Sequence, residues 1–362
     1  MKKILYDNQM FTFQRFGGVT RYFADLMYNL PADEFIADMP MKFCENHYVT
    51  ETYGHKYKKI SFPDNYRVRR RIYALANDCM SRRAVKHSDY DIFHPTYYNP
   101  YFIDAIKRRQ KPLVLTIHDM TFERYPQEVL IYDRTIPHKK RLIAEADHII
   151  AVSENTKRDI VELLGTATSK ITVVHHGYRP ISDVAPQLFD NYVLYVGERK
   201  GYKNFMPWLS AIRPILDNNP SLKIVCTGAP FTAAELKQFA EWNISDRMRH
   251  ISANDAQMAS LYRHALCFVF PSHYEGFGIP ILEAFNGGCP VCLSNASCFP
   301  EVAGDAAVYF NPNDAQSMHD TLKEVLTSKN LREELRQKGT TLSKEYSLER
   351  MVEQTCNVYR KL

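Results

Sequence analysis

The chain has 362 residues, of which 45% are hydrophobic and 24% charged, and its net charge is +5. That length favours two domains, while the composition excludes wholesale disorder. The small net charge excludes a general nucleic-acid-binding protein. The opening MKKILYDNQMF lacks the long apolar core of a signal peptide, and no apolar run approaches about 18 residues, so we expect a cytoplasmic protein.

The first half of the chain alternates short apolar runs with amphipathic stretches. Strands are predicted at 3–7, 91–95, 113–119, 148–153 and 171–177, and helices at 19–30 and 136–146. Buried strands separated by helices indicate a parallel sheet that is covered on both faces. The proline-containing, polar segment 178–191 then predicts a linker.

The same alternation restarts after the linker. Strands are predicted at 192–198, 222–228, 265–272 and 290–295, and helices at 205–216, from about Thr232, at 281–288 and at 348–362. The fold class predicted from this pattern is α/β, with two doubly wound domains. Ligands of such sheets bind beyond the carboxyl ends of the strands, so we expect the site in a cleft between the domains.

Charged residues and glycines follow several of these strands. Arg199 and Lys203 precede a predicted helix start, and two cations beside a helix N-terminus suit a diphosphate, although a solvated charged turn is the alternative. Gly17 and Gly18 precede another helix but lack the third glycine of a dinucleotide fingerprint, so they allow either close approach of a ligand or a tight turn.

Further candidate functional residues lie at the ends of two other predicted strands. His118 ends the strand at 113–119 together with Asp119, although a lone histidine is often structural. In PSHYEGFGIPILEA (271–284), Glu275 lies in a glycine-rich loop and suits sugar hydroxyls, while Glu283 lies about one turn into a helix and suits a ribose diol. Complementing the helix dipole, at about 0.3–1 kcal/mol, would account for Glu283 but not for Glu275 or the glycines.

The combination of motifs resembles a known family. PSHYEGFGIPILEAFNGGCPVCLSN and PEVAGDAAVYFNPND are similar to the signature of the retaining GT-B glycosyltransferases of family four, whose E-x7-E hallmark corresponds to Glu275 and Glu283. GGVTRYF, TIHDM, IIAVSENTKRDI and YVGERKGYKNF occur in the family's order, so the resemblance covers essentially the whole chain.

The resemblance implies two Rossmann-like domains that face a central cleft. Residues 1–180 would bind the acceptor, residues 181–345 would bind a nucleotide-sugar donor, and residues 346–362 would form a helix that crosses back to the first domain. The sugar donor would be GDP-mannose, or next a UDP-sugar. The acceptor would be a glycan, attached to a lipid, in the assembly of surface polysaccharide or O-antigen.

The resemblance also implies roles for the residues singled out above. The implied catalytic residues are Glu275, His118, Arg199 and Lys203, and the implied donor-binding residues are Gly17, Gly18, Glu283, Phe277, Gly278, Ile279 and Asp119. Glu198 departs from the family pattern. An extra acid beside a phosphate site puts the register of Arg199 in question. No metal and no cofactor are expected, because fixed cations would stabilise the departing diphosphate in a same-face, retaining attack.

Partners and alternative functions stay open at this point. The basic segment 67–87 is a candidate contact with anionic membrane at the inner face of the cell membrane, with a solvated helix face as the alternative. No nucleic acid is expected as a partner. Alternative functions are another GT-B enzyme (an epimerase or a phosphorylase), a glycoside hydrolase that uses Glu275 and Glu283, or an inactive glycan-binding homologue.

Overall fold

The computed structural model describes residues 1–55, 57–59, 65–128, 133–180 and 183–362. The chain forms two compact units: unit 1 contains Met1–Gly177 and Leu348–Leu362, and unit 2 contains Tyr178–Ser347. The domain boundaries expected from the sequence are 180/181 and 345/346. Positions 181 and 182 of the predicted linker lie outside the described residues, and no helix that the structure describes is long and apolar enough to cross a membrane.

The strands of unit 1 pair in parallel. They are β1 (Lys2–Tyr6), β2 (Phe35–Asp38), β3 (Ile92–His94), β4 (Val114–Ile117), β5 (His148–Ala151) and β6 (Ile171–Val173). Their orders are β2-β1-β3 and β4-β5-β6, and a bridge between Phe93 and Leu113 connects β3 to β4. Strands β3 and β4 are mostly apolar and buried along their whole length, as expected for a sheet that is covered on both faces.

The helices of unit 1 come from both sides of unit 2 in the sequence. They are α1 (Gln9–Phe13), α2 (Gly18–Tyr28), α3 (Tyr66–His87), α4 (Ile103–Arg109), α5 (Thr121–Arg124), α6 (Thr135–Glu145), α7 (Glu154–Leu164) and α16 (Leu348–Arg360). Helix α16 buries Met351, Val352 and Cys356 in the core that Ile4 and Phe23 also form. The Tyr359 hydroxyl lies 2.8 Å from the Tyr6 hydroxyl and 2.6 Å from Nδ1 of His94. These buried hydrogen bonds fix α16 to the centre of unit 1.

Unit 2 contains one six-stranded parallel sheet among its described residues. Its strands are β7 (Tyr192–Tyr195), β8 (Lys223–Cys226), β9 (Met248–His250), β10 (Cys267–Phe270), β11 (Val291–Ser294) and β12 (Val308–Phe310). The order is β9-β8-β7-β10-β11-β12, which is the strand order of a dinucleotide-binding sheet. The order reverses between β7 and β10, so the loops that follow these two strands diverge around a crevice.

The helices of unit 2 are mostly short. They are α8 (Phe205–Ala211), α9 (Arg213–Asn218), α10 (Ala233–Glu241), α11 (Asp255–His264), α12 (Ile279–Asn286), α13 (Phe299–Ala303), α14 (Ala315–Thr327) and α15 (Lys329–Leu342). The prediction of a single helix at 205–216 is wrong, because the chain forms α8 and α9 there. Pro214 lies in the first turn of α9, where its missing N–H is tolerated, but it could not continue α8.

Candidate functional site

The loops that follow β7 and β10 meet at the point where the strand order of unit 2 reverses. The His273 N–H donates to the Tyr202 carbonyl at 2.8 Å, which joins the two loops through their backbones. Beside this bond, Nζ of Lys203 lies 2.7 Å from Oε1 of Glu275. The structure therefore brings together two of the predicted site residues that are far apart in the sequence, at the edge where sheets of this kind bind ligands.

Glu275 has hydrogen bonds in addition to its ion pair with Lys203, through both its carboxylate and its backbone. The Ser272 hydroxyl donates to Oε1 of Glu275 at 2.7 Å, and the Glu275 N–H donates to the Ser297 hydroxyl at 3.1 Å. Burial alone would lower the pKa of Lys203, but the charge of Glu275 and the adjacent Tyr202 raise it above its ordinary value. Lys203 is therefore a fixed cation at neutral pH, and its ion pair with Glu275 is largely shielded from water.

Arg199 makes a different set of contacts. Its Nε donates to Oε1 of Glu235 at 2.7 Å, one terminal nitrogen donates to the Pro230 carbonyl at 2.9 Å, and the guanidinium lies 4.8 Å from the centre of the Phe231 ring. The Arg199 side chain is 4% exposed. Although burial alone would raise the pKa of Glu235, hydrogen bonds from Arg199 and Thr232 hold it below its usual value. In this conformation Glu235 balances the charge of Arg199.

The acid that departs from the family pattern lies at the surface. The Glu198 side chain is exposed, and its Oε2 is 3.9 Å from Nζ of Lys200. Glu198 therefore pairs along the surface of the same turn, while the side chain of its neighbour Arg199 is buried.

Helix α12 begins in the glycine-rich loop and carries Glu283. Gly278 precedes the helix with φ of +92°, a left-handed conformation that glycine adopts without strain. A Cβ at this position would lie 3.0 Å from Cδ1 of Ile281 and 3.2 Å from Cε1 of Phe299. The Phe277 side chain is buried. The backbone of Phe277, Gly278 and Ile279 leads into the start of α12.

Glu283 points towards the neighbouring helix α11. The hydroxyl of Tyr262, a buried residue of α11, donates to Oε2 of Glu283 at 2.9 Å. Glu275 and Glu283 therefore have different partners: a lysine and a serine for Glu275, and a buried phenol for Glu283. Two carboxylates with separate partners can serve separate parts of one ligand.

The predicted site residues of the first domain lie in unit 1, where His118 follows β4. The His118 ring packs edge-on against Tyr22 of α2 at 5.1 Å between ring centres and is stacked on His176 at 5.7 Å. Gly17 and Gly18 lie at the start of the same helix α2, and the Thr20 hydroxyl donates to the Gly17 carbonyl at 2.9 Å. The structure thus connects the glycine motif with His118 through Tyr22.

The imidazole of His118 is neutral. Burial, together with the nearby His94 and Lys139, lowers the pKa of His118 to about 3. In the part of the chain that the structure describes, Nε2 of His118 is a buried atom with no hydrogen-bond partner. A buried nitrogen without a partner is costly, and a ligand hydroxyl would satisfy it.

Asp119 and the turn after β4 are held by a buried lysine. Nζ of Lys139, on α6, donates to the Asp119 carbonyl at 3.0 Å and lies 3.0 Å from Oε2 of Glu123. The Asp119 carboxylate accepts from the Thr121 N–H at 2.9 Å, which starts α5. Asp119 therefore has a clear structural role in shaping this turn, beside the donor contact predicted for it.

Sequence reasoning missed several residues that hold the site. They are Ser272, Ser297, Glu235, Tyr262 and Lys139. Ser272 could have been identified from the sequence, because it lies three positions before Glu275 in the same motif. The others lie on separate elements, and no local pattern in the sequence connects them with the residues they contact.

Comparisons with protein families cover both units. A family model described as Glycosyltransferase Family 4 matches residues 16–180, and a model described as Glycosyl transferases group 1 matches residues 183–342. The O-antigen chain mannosyltransferase B of Escherichia coli is 27% identical over 300 residues, which cover 76% of this chain and 75% of that protein. The O-antigen chain mannosyltransferase RfbU of Salmonella typhimurium is 26% identical over 216 residues, 58% of this chain and 60% of that protein.

Solved structures share the fold at low sequence identity. HepE of Anabaena, in complex with UDP and glucose, matches with a TM-score of 0.75 and 13% identity over 100% of both chains. Sucrose-phosphate synthase from Thermosynechococcus elongatus matches with a TM-score of 0.72 and 17% identity over 100% of this chain and 99% of that chain. The chain belongs to glycosyltransferase family 4 and has the GT-B fold.

Proposed function

We propose that this protein transfers a hexose from a nucleoside diphosphate sugar to a lipid-linked glycan, with retention of anomeric configuration, in the synthesis of O-antigen or another surface polysaccharide. GDP-mannose is the first candidate donor, because two relatives are named O-antigen chain mannosyltransferases. A UDP-sugar is the second. The observation that carries the proposal is the pairing of Lys203 with Glu275 at the reversal of strand order in unit 2.

In the proposed reaction, the donor replaces the ion pair between Lys203 and Glu275. The ammonium group of Lys203 then pairs with the diphosphate, and the Glu275 carboxylate accepts hydrogen bonds from sugar hydroxyls. As the bond between sugar and phosphate breaks, negative charge grows on the departing diphosphate, where a fixed cation stabilises it. The departing phosphate takes the proton of the acceptor hydroxyl, so this scheme needs neither a protein nucleophile nor a metal ion.

The remaining residues complete the proposed donor site. The neutral His118 would donate or accept a hydrogen bond at the sugar, with Asp119 beside it, and Gly17 and Gly18 would approach the diphosphate. The backbone of residues 277–279 would hold the phosphate, and Glu283 would hold the ribose. Direct contact between Arg199 and the diphosphate would require Arg199 to leave Glu235, so this part of the proposal depends on rearrangement of that ion pair.

The test compares two lysines of one turn. Lys203→Met should lower the rate of transfer from radiolabelled GDP-mannose or UDP-sugar to membrane-extracted lipid-linked glycan by about 10²–10³. Lys200→Met is the matched control, because Lys200 is three positions away but its side chain is 84% exposed. Equal activity of the two variants would contradict the proposed site. A chelator should leave the wild-type rate unchanged, and rescue by a divalent ion would contradict the metal-free reaction.

We also propose that α3 contacts an anionic membrane surface. Val68, Ile72, Leu75 and Cys79 are exposed on one stripe of α3, and Leu75 is 77% exposed. Exposed cations flank this stripe, namely Arg67, Arg71, Arg82, Arg83 and Lys86. The opposite face buries the polar residues Asn77 and Ser81. An exposed apolar stripe between cations suits the interface of an anionic bilayer.

Vesicle sedimentation tests this contact. The protein should bind phosphatidylglycerol vesicles, bind phosphatidylcholine weakly, and lose binding as salt is added. Leu75→Glu should weaken binding by about tenfold or more, since burying a leucine contributes roughly 1.5–3 kcal/mol. Leu236→Glu is the control, because Leu236 is a 52% exposed leucine of α10 in unit 2. If both variants bind as wild type, α3 is a solvated face.

A further inference from the structure

Tyr262 is built into the interior of unit 2 with its hydroxyl directed at Glu283. The side chain is 2% exposed, and Phe268 of β10 packs edge-on against its ring with 5.7 Å between ring centres. The hydroxyl donates to Oε2 of Glu283 at 2.9 Å, across the contact between α11 and α12. A buried phenol whose ring packs against a neighbouring ring has few alternative positions, so its hydroxyl is a fixed donor.

Gly287, the glycine that follows α12, allows this close approach. A Cβ on Gly287 would lie 2.6 Å from Cβ of Tyr262, a separation that real side chains do not adopt. The absence of a side chain at Gly287 therefore lets α11 bring Tyr262 next to Glu283, one turn earlier on α12. Tyr262, Gly287 and Glu283 also line a small cavity of about 40 Å³.

The chemistry of the pair favours a directed carboxylate. Burial raises the pKa of Tyr262 well above its usual value, and the charge of Glu283 raises it further. The phenol therefore stays protonated and donates at every physiological pH. A carboxylate offers about four acceptor positions on its two oxygens, and the bond from Tyr262 occupies one position on Oε2 and thereby restricts how the group can turn.

We propose that Tyr262 is a positioning residue, which orients the Glu283 carboxylate to accept the 2′- and 3′-hydroxyls of the ribose of a nucleoside diphosphate. This inference rests on the proposed function, because it assumes that Glu283 binds the nucleoside part of the donor. Tyr262 itself touches no ligand in this scheme, and it acts through Glu283.

The experiment measures binding of GDP, UDP and inorganic pyrophosphate to Tyr262→Phe by calorimetry. We expect about tenfold weaker binding of the preferred nucleoside diphosphate, because the carboxylate loses the donor that orients it, and unchanged binding of pyrophosphate, which has no ribose. In transfer assays KM for the donor should rise while kcat is retained. In a Glu283→Ala background, Tyr262→Phe should add no further loss, as expected for a residue that acts through Glu283.

Tyr192→Phe is the matched control. Tyr192 is another buried tyrosine of unit 2, and its hydroxyl donates to the Leu261 carbonyl at 2.7 Å rather than to a carboxylate. Its removal should lower thermal stability as Tyr262→Phe does, without weakening binding of a nucleoside diphosphate. Equal weakening of pyrophosphate and nucleoside diphosphate in Tyr262→Phe, or no weakening at all, overturns the inference. Failure of the wild-type protein to bind either nucleoside diphosphate overturns the proposed function itself.

Discussion

The Lys203–Glu275 pair has a structural role that can be separated from the donor-binding role proposed for it. Its side chains are 17% and 14% exposed, so removing one partner leaves a charge that water reaches poorly. In the proposed donor complex, however, the two residues face the ligand and not each other. Stability therefore depends on both charges being present or both being absent, whereas the proposed donor binding depends on each residue separately.

At this scale we predict a strongly non-additive pair of substitutions. Lys203→Met and Glu275→Gln should each lower the free energy of unfolding by about 2 kcal/mol, somewhat below the cost for a fully buried pair. The double variant should recover part of that loss, because it leaves no unpaired charge, yet its transfer rate should stay as low as that of the single variants. Urea denaturation and a transfer assay provide the two measurements. Recovery of activity in the double variant would contradict the donor-binding role.

Helix α12 depends on the conformation of the residue before it. Gly278 combines a φ of +92° with close neighbours, whereas Gly288, just after the same helix, has a φ of +64° and no atom within 4 Å of the position that a Cβ would occupy. Gly278→Ala and Gly288→Ala therefore share the cost of a left-handed backbone, about 1 kcal/mol or more. They differ in the crowding against Ile281 and Phe299.

We predict that Gly278→Ala lowers both stability and donor binding, while Gly288→Ala lowers stability alone. The reason is that a methyl group at Gly278 would crowd the side chains of Ile281 and Phe299 at the start of α12, where the proposed phosphate contacts lie. Thermal denaturation and calorimetry with GDP and UDP measure the two effects. If Gly278→Ala binds these ligands as tightly as Gly288→Ala does, the backbone of residues 277–279 does not hold the donor.

Sequence patterns predicted the elements at the centre of each sheet better than those at the edges. Strands β1, β7 and β10 coincide with predicted apolar runs, because strands buried on both faces require such runs. Strands β2, β9 and β12 were not predicted, and each lies at the edge of its sheet. In β2, three of the four residues are exposed, so the apolar run that marks a strand is missing.

For the site, the sequence predicted residues that share one loop or helix start, but not contacts between distant elements. The spacing of Glu275, Glu283 and the Lys203 turn could be read from the sequence, because each belongs to one loop or helix start. The partner of Arg199 could not, since Glu235 comes from α10, 36 positions away. Nor could the bond from Tyr262 to Glu283, because it depends on how closely α11 and α12 approach.

For the molecule as a whole, buried histidines make stability depend on pH. In unit 1, burial lowers the pKa of His94 and of His118 to about 3 and that of His176 well below its usual value. Unfolding returns these imidazoles to water, where they bind protons below about pH 6.5. Their neutral form therefore stabilises the fold fully above pH 6.5, and this contribution is lost as the pH falls towards the folded-state values.

We predict that acidification from pH 6.5 to 5.5 lowers the free energy of unfolding by about 1 kcal/mol for each of the three histidines. His94→Gln should be less stable at pH 7.5, because it loses contacts with Tyr359 and Thr116, but its stability should fall less steeply with acid. Urea denaturation at several pH values measures the slope. Parallel slopes for wild type and His94→Gln would show that folding does not lower the pKa of His94.

Because unit 1 is assembled from segments on either side of unit 2, its maturation cannot be completed in the order in which it is translated. Its first 177 residues leave the ribosome early, but the core they form includes Leu348, Met351 and Val352, which are synthesised only after unit 2. Unit 2 is continuous in the sequence, so its core needs no segment from outside Tyr178–Ser347. A premature stop codon shortly before Leu348 would thus leave unit 2 complete but remove α16 from unit 1. The apolar interior of unit 1 would then be exposed to chaperones and proteases.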